Sequence, residues 1–229
     1  MKSYHIHLIR HGLSEGNKLG QYIGVTDSPL SPEGKALLLE KKQAGAYPKA
    51  AVCYSSPLGR CLDSAKLVYP DCPPRVIMDF RECDFGAWEG KTAKELEKEP
   101  MFREWMESGG HTTPPFGESG GAFIHRTCLA FEKLVRELLQ SGITDAAVVA
   151  HGGTLMAILS TYGLPRAPFY DWLTEPGSGY SLRITPGLWM RSMVAEVYET
   201  IPPREAEREV SAMDVAREAA RRAYGEPED

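Results

Sequence analysis

Short apolar runs alternate with segments of helical periodicity along most of the chain. Four of these runs have the length and composition of buried strands, at residues 4–10, 50–54, 75–78 and 146–150. Helix signals lie between them: Ser31 precedes Pro32, Thr92 and Glu95 have the spacing of a capping box, and Ser119 begins a long amphipathic stretch. Apolar strands separated by helices predict an α/β fold with a mostly parallel sheet that helices cover on both faces.

The residue pattern in the C-terminal third of the chain predicts the strands at one edge of this sheet, followed by a tail. Residues 181–184 and 190–197 have strand character, and the intervening Pro186-Gly187 favours a hairpin. From residue 202 onward the chain is charged and rich in alanine, which predicts a solvated helix with a frayed end. We therefore predict a domain at residues 1–201, with a cap inserted at about residues 86–117, and a tail at residues 202–229.

Net charge, cysteine content and the length of the apolar runs indicate which partners and which cellular location to expect. The 229 residues carry a net charge of −5, so we expect no general attraction to nucleic acid or to anionic lipid. Five scattered cysteines without a CxxC spacing indicate reduced thiols. The chain has no apolar run long enough for a signal peptide or a membrane span, so we predict a cytoplasmic protein.

Basic side chains follow three of the predicted strands. The first strand ends in Arg10 and His11, the second leads into Arg60, and the strand at residues 146–150 ends at His151. Carboxyl ends of parallel strands share one sheet edge, so these side chains are expected to meet there. A guanidinium group presents a fork of donors to phosphate oxygens, and a neutral imidazole is a nucleophile. The pattern predicts a pocket for a phosphoryl group.

Two further features fit phosphoryl chemistry. Helices that begin after Gly12 and Gly152 would aim backbone N–H donors at an anion. Glu82 follows the third predicted strand and is the natural carboxyl group for proton transfer, although Asp84 is close enough in sequence to be an alternative.

Six segments, taken together, resemble the histidine phosphatase superfamily, which contains the cofactor-dependent phosphoglycerate mutases. In chain order they are LIRHGLSEGN at 8–17, GVTDSPLSPEG at 24–34, SSPLGRCLDSA at 55–65, RECDFGAWEG at 81–90, GES at 117–119 and VVAHGGT at 148–154. The resemblance extends over about residues 4–164. It implies a three-layer α/β/α sandwich and a phosphohistidine intermediate, formed without a metal or another cofactor.

The resemblance also implies roles for individual residues. His11 would attack phosphorus, and Glu82 would protonate the leaving oxygen and then activate a water molecule. The groups that would bind the phosphoryl oxygens are those of Arg10, Asn17, Arg60, His151 and Gly152. The expected enzyme is a histidine acid-type phosphatase, a phosphoric monoester hydrolase whose partner is a small phosphate ester. One departure from the family pattern follows Arg60, where Cys61 and Ser64 stand in place of the usual alanine and threonine, and it is expected to affect packing only.

Within the family, the sequence favours a phosphatase over a mutase. Mutases place an Arg-Arg pair between the acid and the second histidine. No such pair stands in that segment here, although it offers Lys91, Lys94, Lys98, Arg103 and Arg126. Trp88, Trp105 and Phe116 fit either packing of the cap or an apolar leaving-group pocket, so we expect similarity to the broad-specificity and α-ribazole phosphatases.

Two other functions stay open at this stage. His5 and His7 have the spacing of a metal-dependent hydrolase, with Asp27 or Asp84 as a further ligand. Alternatively, the anion pocket could belong to a binding module that senses a phosphorylated metabolite without catalysis, although binding alone would not need a proton donor. The tail could take part in an oligomer contact, which leaves a homodimer open.

Overall fold

A mixed sheet of seven strands lies at the centre of the molecule, for which a computed structural model describes residues 2–110 and 112–203. The strands are β1 (Tyr4–Arg10), β2 (Val52–Ser55), β3 (Arg75–Val76), β4 (Asp145–Ala150), β5 (Gly163–Leu164), β6 (Gly179–Ile184) and β7 (Ala195–Ile201). Their spatial order is β3-β2-β4-β1-β6-β7-β5. β6 runs antiparallel to β1 and β7, whereas the other neighbours are parallel. The predicted mostly parallel α/β sheet is confirmed.

Helices connect the strands at the places that the sequence signals. They are α1 (Glu15–Lys18), α2 (Pro32–Gln43), α3 (Gly59–Val68), α4 (Ala93–Leu96), α5 (Pro100–Glu107), α6 (Gly120–Ser141), α7 (Gly152–Tyr162) and α8 (Pro186–Ser192). Three of the predicted caps are present, because the side chains of Ser31, Thr92 and Ser119 each accept a backbone N–H of the first turn. None of the helices in the described part of the chain is long and apolar enough to cross a membrane.

Alternate residues of the strands face two different cores. Leu8 of β1 packs in a cluster with Phe131 of α6 and Leu155 of α7, whereas its neighbour Ile9 packs with Cys61 of α3. Successive side chains of a strand point to opposite faces, so the sheet is covered on both sides. This arrangement is the three-layer α/β/α sandwich that the resemblance implied.

Two local predictions are wrong. The strand predicted at residues 190–197 begins only at Ala195, and the predicted turn is helix α8, which has Pro186 in its first turn. Trp189 of α8 is buried against Phe131 and Tyr162, and this aromatic contact favours the helix over a hairpin. The strand predicted at residues 75–78 ends at Val76, because the chain turns into a 3₁₀ helix at Met78–Phe80.

The segment at residues 86–117, predicted as a cap, contains α4 and α5. Trp88, Leu96 and Phe102 form a buried cluster there, against which Tyr22, Phe85 and Trp105 pack. The boundaries of a separate cap stay a prediction. Of the predicted tail, only residues 202 and 203 are described, and residues 204–229 lie outside the described part of the chain.

We predict that Phe102→Ala lowers the free energy of unfolding by about 3–5 kcal/mol, because it leaves a cavity among packed aromatic rings. Phe102 is 4% exposed, whereas its neighbour Met101 is 51% exposed and supplies the matched control. We expect Met101→Ala to change the free energy by less than about 0.5 kcal/mol. Urea denaturation followed by tryptophan fluorescence checks both values, and equal midpoints for the two variants would contradict the packing described for this cluster.

Candidate active site

The pairing of β1 with β4 brings two histidines together. Arg10 is the last residue of β1 and stands opposite Ala150, the last residue of β4, in parallel register. The chain leaves both strands at the same sheet edge, so His11 and His151 follow side by side. Their ring centroids are 5.1 Å apart, and the ring planes are inclined at 68°. The predicted convergence of these strand ends is present in the structure.

His11 is buried and held in one tautomer. Its Nδ1 donates a hydrogen bond to the carbonyl oxygen of Gly12 at 2.7 Å, and its Nε2 accepts one from Nε of Arg60 at 3.3 Å. Both contacts require the proton on Nδ1 and the lone pair on Nε2. Burial, followed by the charge of Arg60, lowers the pKa of His11 to about 3. The ring is therefore neutral at physiological pH, and Nε2 is the unprotonated nitrogen that can act as a nucleophile.

Arg60 lies in the first turn of α3 and is 1% exposed. Its Nη1 and Nη2 donate to the carbonyl oxygens of Thr26 and Gly24 at 2.9 Å and 2.6 Å. Burial is the largest cause that lowers the pKa of this guanidinium, although Arg60 stays charged at any pH of interest. These contacts hold a positive charge beside the reactive nitrogen of His11.

Arg10 and Asn17 each present a buried polar atom without a protein partner in the described part of the chain. Nη1 of Arg10 donates to the carbonyl oxygen of Thr174 at 2.6 Å, which orients the guanidinium, whereas its Nε is unpaired. Oδ1 of Asn17 is unpaired as well. Both residues line the same cavity as His11. Unpaired buried polar atoms are costly, and a phosphoryl oxygen would accept a hydrogen bond from Nε of Arg10, whereas Oδ1 of Asn17 is an acceptor and needs a donor.

Glu82, the predicted acid, lines the cavity. Its Oε1 and Oε2 accept the backbone N–H groups of Cys83 and Gly153, both at 2.9 Å. A Cβ atom at Gly153 would lie 2.3 Å from Oε1, so only glycine leaves room for the carboxylate at this end of α7. Burial raises the pKa of Glu82 and outweighs the two hydrogen bonds that lower it. Asp84, the alternative acid, instead accepts the N–H of Gly86 at 2.8 Å.

His151 contacts residues that the sequence reasoning did not assign to the site. Its Nε2 lies 2.7 Å from Oγ of Ser56, and Sγ of Cys61 lies 3.4 Å from the same nitrogen. The unusual Cys61 is thus a direct neighbour of a site residue. Burial, then the charge of Arg60, holds the pKa of His151 well below its usual range. Arg60 and His151 do not reach the surface of the cavity, so their contact with a phosphoryl group stays a prediction.

The cavity at this sheet edge has a volume of about 680 Å³, and six aromatic side chains are part of its wall. Its base is formed by Arg10, His11, Asn17, Glu82, Gly152 and Gly153. Its wall includes Tyr22, Phe85, Trp105, Phe123, Phe169 and Tyr170. Of the three aromatic residues named as packing or pocket candidates, only Trp105 lines it. Trp88 is buried in its own cluster, and Phe116 is 96% exposed.

No sequence signal pointed to Phe169 and Tyr170, which lie on a 3₁₀ helix at Phe169–Trp172. Their neighbours in the wall come from the distant residues 105 and 123, so the wall depends on long-range packing. By contrast, Ser56 stands in a segment that already carried the family resemblance.

The basic residues between Glu82 and His151 do not line the cavity. Arg126 forms an ion pair with Glu118 at 2.6 Å. It also donates to the carbonyl oxygens of Asp79, Arg81 and Glu82. It therefore stabilises the backbone of the segment that carries Glu82.

Within the described part of the chain, Arg10 is the only arginine or lysine that lines the cavity.

The histidines of the metal-site alternative have other contacts. Nδ1 of His5 lies 3.2 Å from Asp145, and Nδ1 of His7 lies 3.0 Å from Oγ of Ser181. Neither histidine lines the cavity around His11. Among residues 2–110 and 112–203, no three side chains of His, Cys, Asp or Glu are grouped as metal ligands.

Comparisons with known proteins agree with this geometry. The family model of the histidine phosphatase superfamily (branch 1) matches residues 6–196. The chain is 28% identical over 178 residues to the adenosylcobalamin/α-ribazole phosphatase of Escherichia coli, covering 74% of this chain and 85% of that protein. It is also 28% identical over 181 residues to a 2,3-bisphosphoglycerate-dependent phosphoglycerate mutase of Rhizobium etli, with 72% and 82% covered.

Among solved structures, the α-ribazole phosphatase of Shigella flexneri is similar to the chain with a TM-score of 0.70 and 22% identity, over 85% of this chain and 94% of that one. At this level of identity the likeness shows the fold alone. The family model extends over most of the described residues and includes the strand ends that lead to His11 and His151 and the loop that carries Glu82. By its sequence and by the geometry of its site, the chain belongs to the histidine phosphatase superfamily.

Proposed function

We propose that this protein is a phosphomonoesterase that transfers a phosphoryl group first to His11 and then to water. The observation that carries the proposal is the tautomer of His11, in which Nδ1 donates to the carbonyl oxygen of Gly12 and Nε2 is unprotonated, with only a 3.3 Å hydrogen bond from Nε of Arg60 on its lone pair. Glu82, a carboxyl group with a raised pKa, lines the same cavity. A nucleophile and a separate proton donor are the two groups that this reaction needs.

In the first step, Nε2 of His11 forms a bond to phosphorus as the bond from phosphorus to the leaving oxygen breaks. Protonated Glu82 gives its proton to that oxygen, and the alcohol departs. In the second step, the carboxylate of Glu82 takes a proton from water, whose oxygen attacks phosphorus and releases Nε2. Arg10, Asn17, Arg60, His151 and the backbone N–H of Gly152 are proposed to stabilise the charge on the phosphoryl oxygens.

The cavity favours hydrolysis over mutase chemistry. A mutase has to hold a bisphosphate, which requires cations on the wall opposite the nucleophile. Here the cavity lining includes six aromatic side chains and the carboxylate of Glu118, and Arg10 at its base is the only arginine or lysine among the described residues that line it. We therefore propose a monoester whose leaving group is bulky, uncharged and aromatic, which agrees with the α-ribazole phosphatases among the relatives.

A binding module that lacks catalysis is less well supported. A pocket that only binds phosphate would be weakened by a buried carboxylate beside it, whereas a catalytic site needs one as a proton donor. The proposed partner is accordingly a small phosphate ester, and neither a nucleic acid nor a membrane. A cytoplasmic location is proposed as well, because the five cysteines are free thiols.

We predict that His11→Ala abolishes turnover, with a loss of at least about 10³-fold in kcat, because the covalent route needs this nitrogen. The measurement is release of inorganic phosphate from aryl and alkyl monoesters in the presence of EDTA. Exposed His125 supplies the control, and His125→Ala is expected to match the wild type. If EDTA stopped the wild type and divalent ions restored it, the metal-independent reaction would be wrong.

Glu82→Gln is predicted to lower kcat by about 10²–10⁴-fold for alkyl monoesters and much less for an activated aryl phosphate, which leaves without a proton. The first step needs the protonated acid, whose raised pKa extends activity toward higher pH. With alkyl esters, wild-type activity therefore falls as the pH rises through this raised pKa, and the fall disappears in Glu82→Gln. Asp84→Asn is the control, and an equal loss in that variant would contradict the assignment of the acid.

Tyr170→Ala tests the proposed leaving group. Tyr170 is half-exposed and lines the cavity, so its removal is expected to affect binding more than stability. An aromatic contact contributes about 0.5–1.5 kcal/mol, so kcat/KM for naphthyl phosphate should fall by about 2–10-fold. We expect kcat/KM for glycerol phosphate to stay within about twofold of the wild type.

The control is Tyr198→Ala, which removes a similarly exposed tyrosine from β7, outside the cavity. An equal loss for both substrates in Tyr170→Ala would show that the aromatic wall does not recognise the leaving group.

A further inference from the structure

Glu89 has a carboxylate that the reaction does not use, although it is surrounded by backbone donors. It accepts the N–H groups of Gly24, Val25 and Thr26 at 3.0–3.2 Å, and that of Phe85 at 3.0 Å. Successive backbone N–H groups that point at one place form an anion-binding concavity. Here the anion is a side chain of the protein itself, and it joins two separate loops.

The first of these loops holds Arg60. The peptide group between Gly24 and Val25 has Nη2 of Arg60 on its carbonyl oxygen at 2.6 Å and Oε1 of Glu89 on its N–H at 3.1 Å. A single peptide therefore lies between the buried cation and the carboxylate. Hydrogen bonds in such a chain polarise one another, so the negative charge of Glu89 strengthens the carbonyl oxygen as an acceptor for Arg60.

The second loop carries the proton donor. Phe85 stands three residues after Glu82, and the two loops touch at Gly24, where a Cβ atom would lie 1.9 Å from the carbonyl oxygen of Cys83. Backbones this close require glycine, and the carboxylate of Glu89 bridges the same contact. The side chain thus fixes the separation between the Arg60 loop and the Glu82 loop.

We propose that Glu89 is a positioning residue for phosphoryl transfer, which acts by holding Arg60 against His11 through the loop at residues 24–26. This inference rests on the proposed function. Arg60 is almost fully buried, and its side chain contacts two carbonyl oxygens and His11, without a carboxylate in an ion pair with it among the described residues. Without the carboxylate of Glu89, the loop loses the acceptors for its N–H groups, and the guanidinium loses the orientation that places Nε on the reactive nitrogen.

The test is a double-mutant cycle with Glu89→Gln and Arg60→Ala. Glutamine keeps the size of the side chain but removes the charge and replaces one acceptor oxygen with a donor. The control is Glu95→Gln, because Glu95 is also a carboxylate of the segment at residues 86–117 that accepts backbone N–H, and it caps α4 away from the cavity. The readouts are kcat/KM with an activated aryl phosphate, inhibition by orthovanadate, and the midpoint of thermal unfolding.

We expect Glu89→Gln to lower kcat/KM about 10–100-fold and to weaken orthovanadate inhibition, because hydrogen bonds to charged groups are lost. In the Arg60→Ala background, the same change should cost less than about threefold, because Glu89 acts through Arg60. Glu95→Gln should leave kcat/KM within about twofold of the wild type, whatever it does to the unfolding midpoint.

Equal kcat/KM in Glu89→Gln and Glu95→Gln would overturn the inference, and so would an undiminished effect of Glu89→Gln in the Arg60→Ala background. If Glu89→Gln does not fold, Glu89→Asp replaces it in the cycle, since it keeps the charge and withdraws the carboxylate by one methylene group. An effect of Glu89→Asp on kcat/KM that is undiminished in the Arg60→Ala background would likewise overturn the inference. A wild type that releases no phosphate from any monoester would overturn the proposed function, and this inference with it.

Discussion

The hydrogen bond between Nδ1 of His11 and the carbonyl oxygen of Gly12 determines which nitrogen of the ring is unprotonated and able to react. The N–H of Gly12 donates to Oγ of Ser64 on α3 at 2.9 Å, so the helix that carries Arg60 also holds the residue whose carbonyl oxygen orients the nucleophile. His11 and Gly12 lie at the sheet edge because they follow β1, whose register is set by pairing with β4 and β6. The chemistry of the site is therefore determined by backbone groups as much as by side chains.

Burial of charge is the second constraint, and it shapes the loops. An acidic protein holds two arginines at one sheet edge, each paired mainly with carbonyl oxygens: Thr174 for Arg10, Thr26 and Gly24 for Arg60. Carbonyl oxygens accept hydrogen bonds from the guanidinium N–H groups but do not neutralise the guanidinium charge, so positive charge stays available for a phosphoryl group. The same burial keeps His11 neutral, and it raises the pKa of Glu82, which favours the protonated acid that the first step uses.

Features of the fold that depend on residue types close together in the chain could be predicted from the sequence. Strand ends at Arg10 and His151 and the cap at Ser31 could be predicted because apolar runs, glycines and capping residues act locally. The aromatic wall with Phe169 and Tyr170 could not, because it is assembled from residues far apart in the chain. Helix α8 was missed because the contact of Trp189 with α6 and α7 decides its conformation. The position of Glu89 is set by backbone N–H groups, which residue types do not reveal.

The central claim is that Nε2 of His11 is the atom that takes the phosphoryl group, and one measurement addresses it directly. The wild type would be mixed with an aryl phosphate and quenched within milliseconds at alkaline pH, at which phosphohistidine persists. Peptide mass spectrometry would then locate the phosphoryl group, and phosphorus–proton NMR would identify the ring nitrogen. The account predicts phosphorylation of His11 at Nε2. A phosphoryl group on Nδ1, on another residue, or on no residue during active turnover would contradict it.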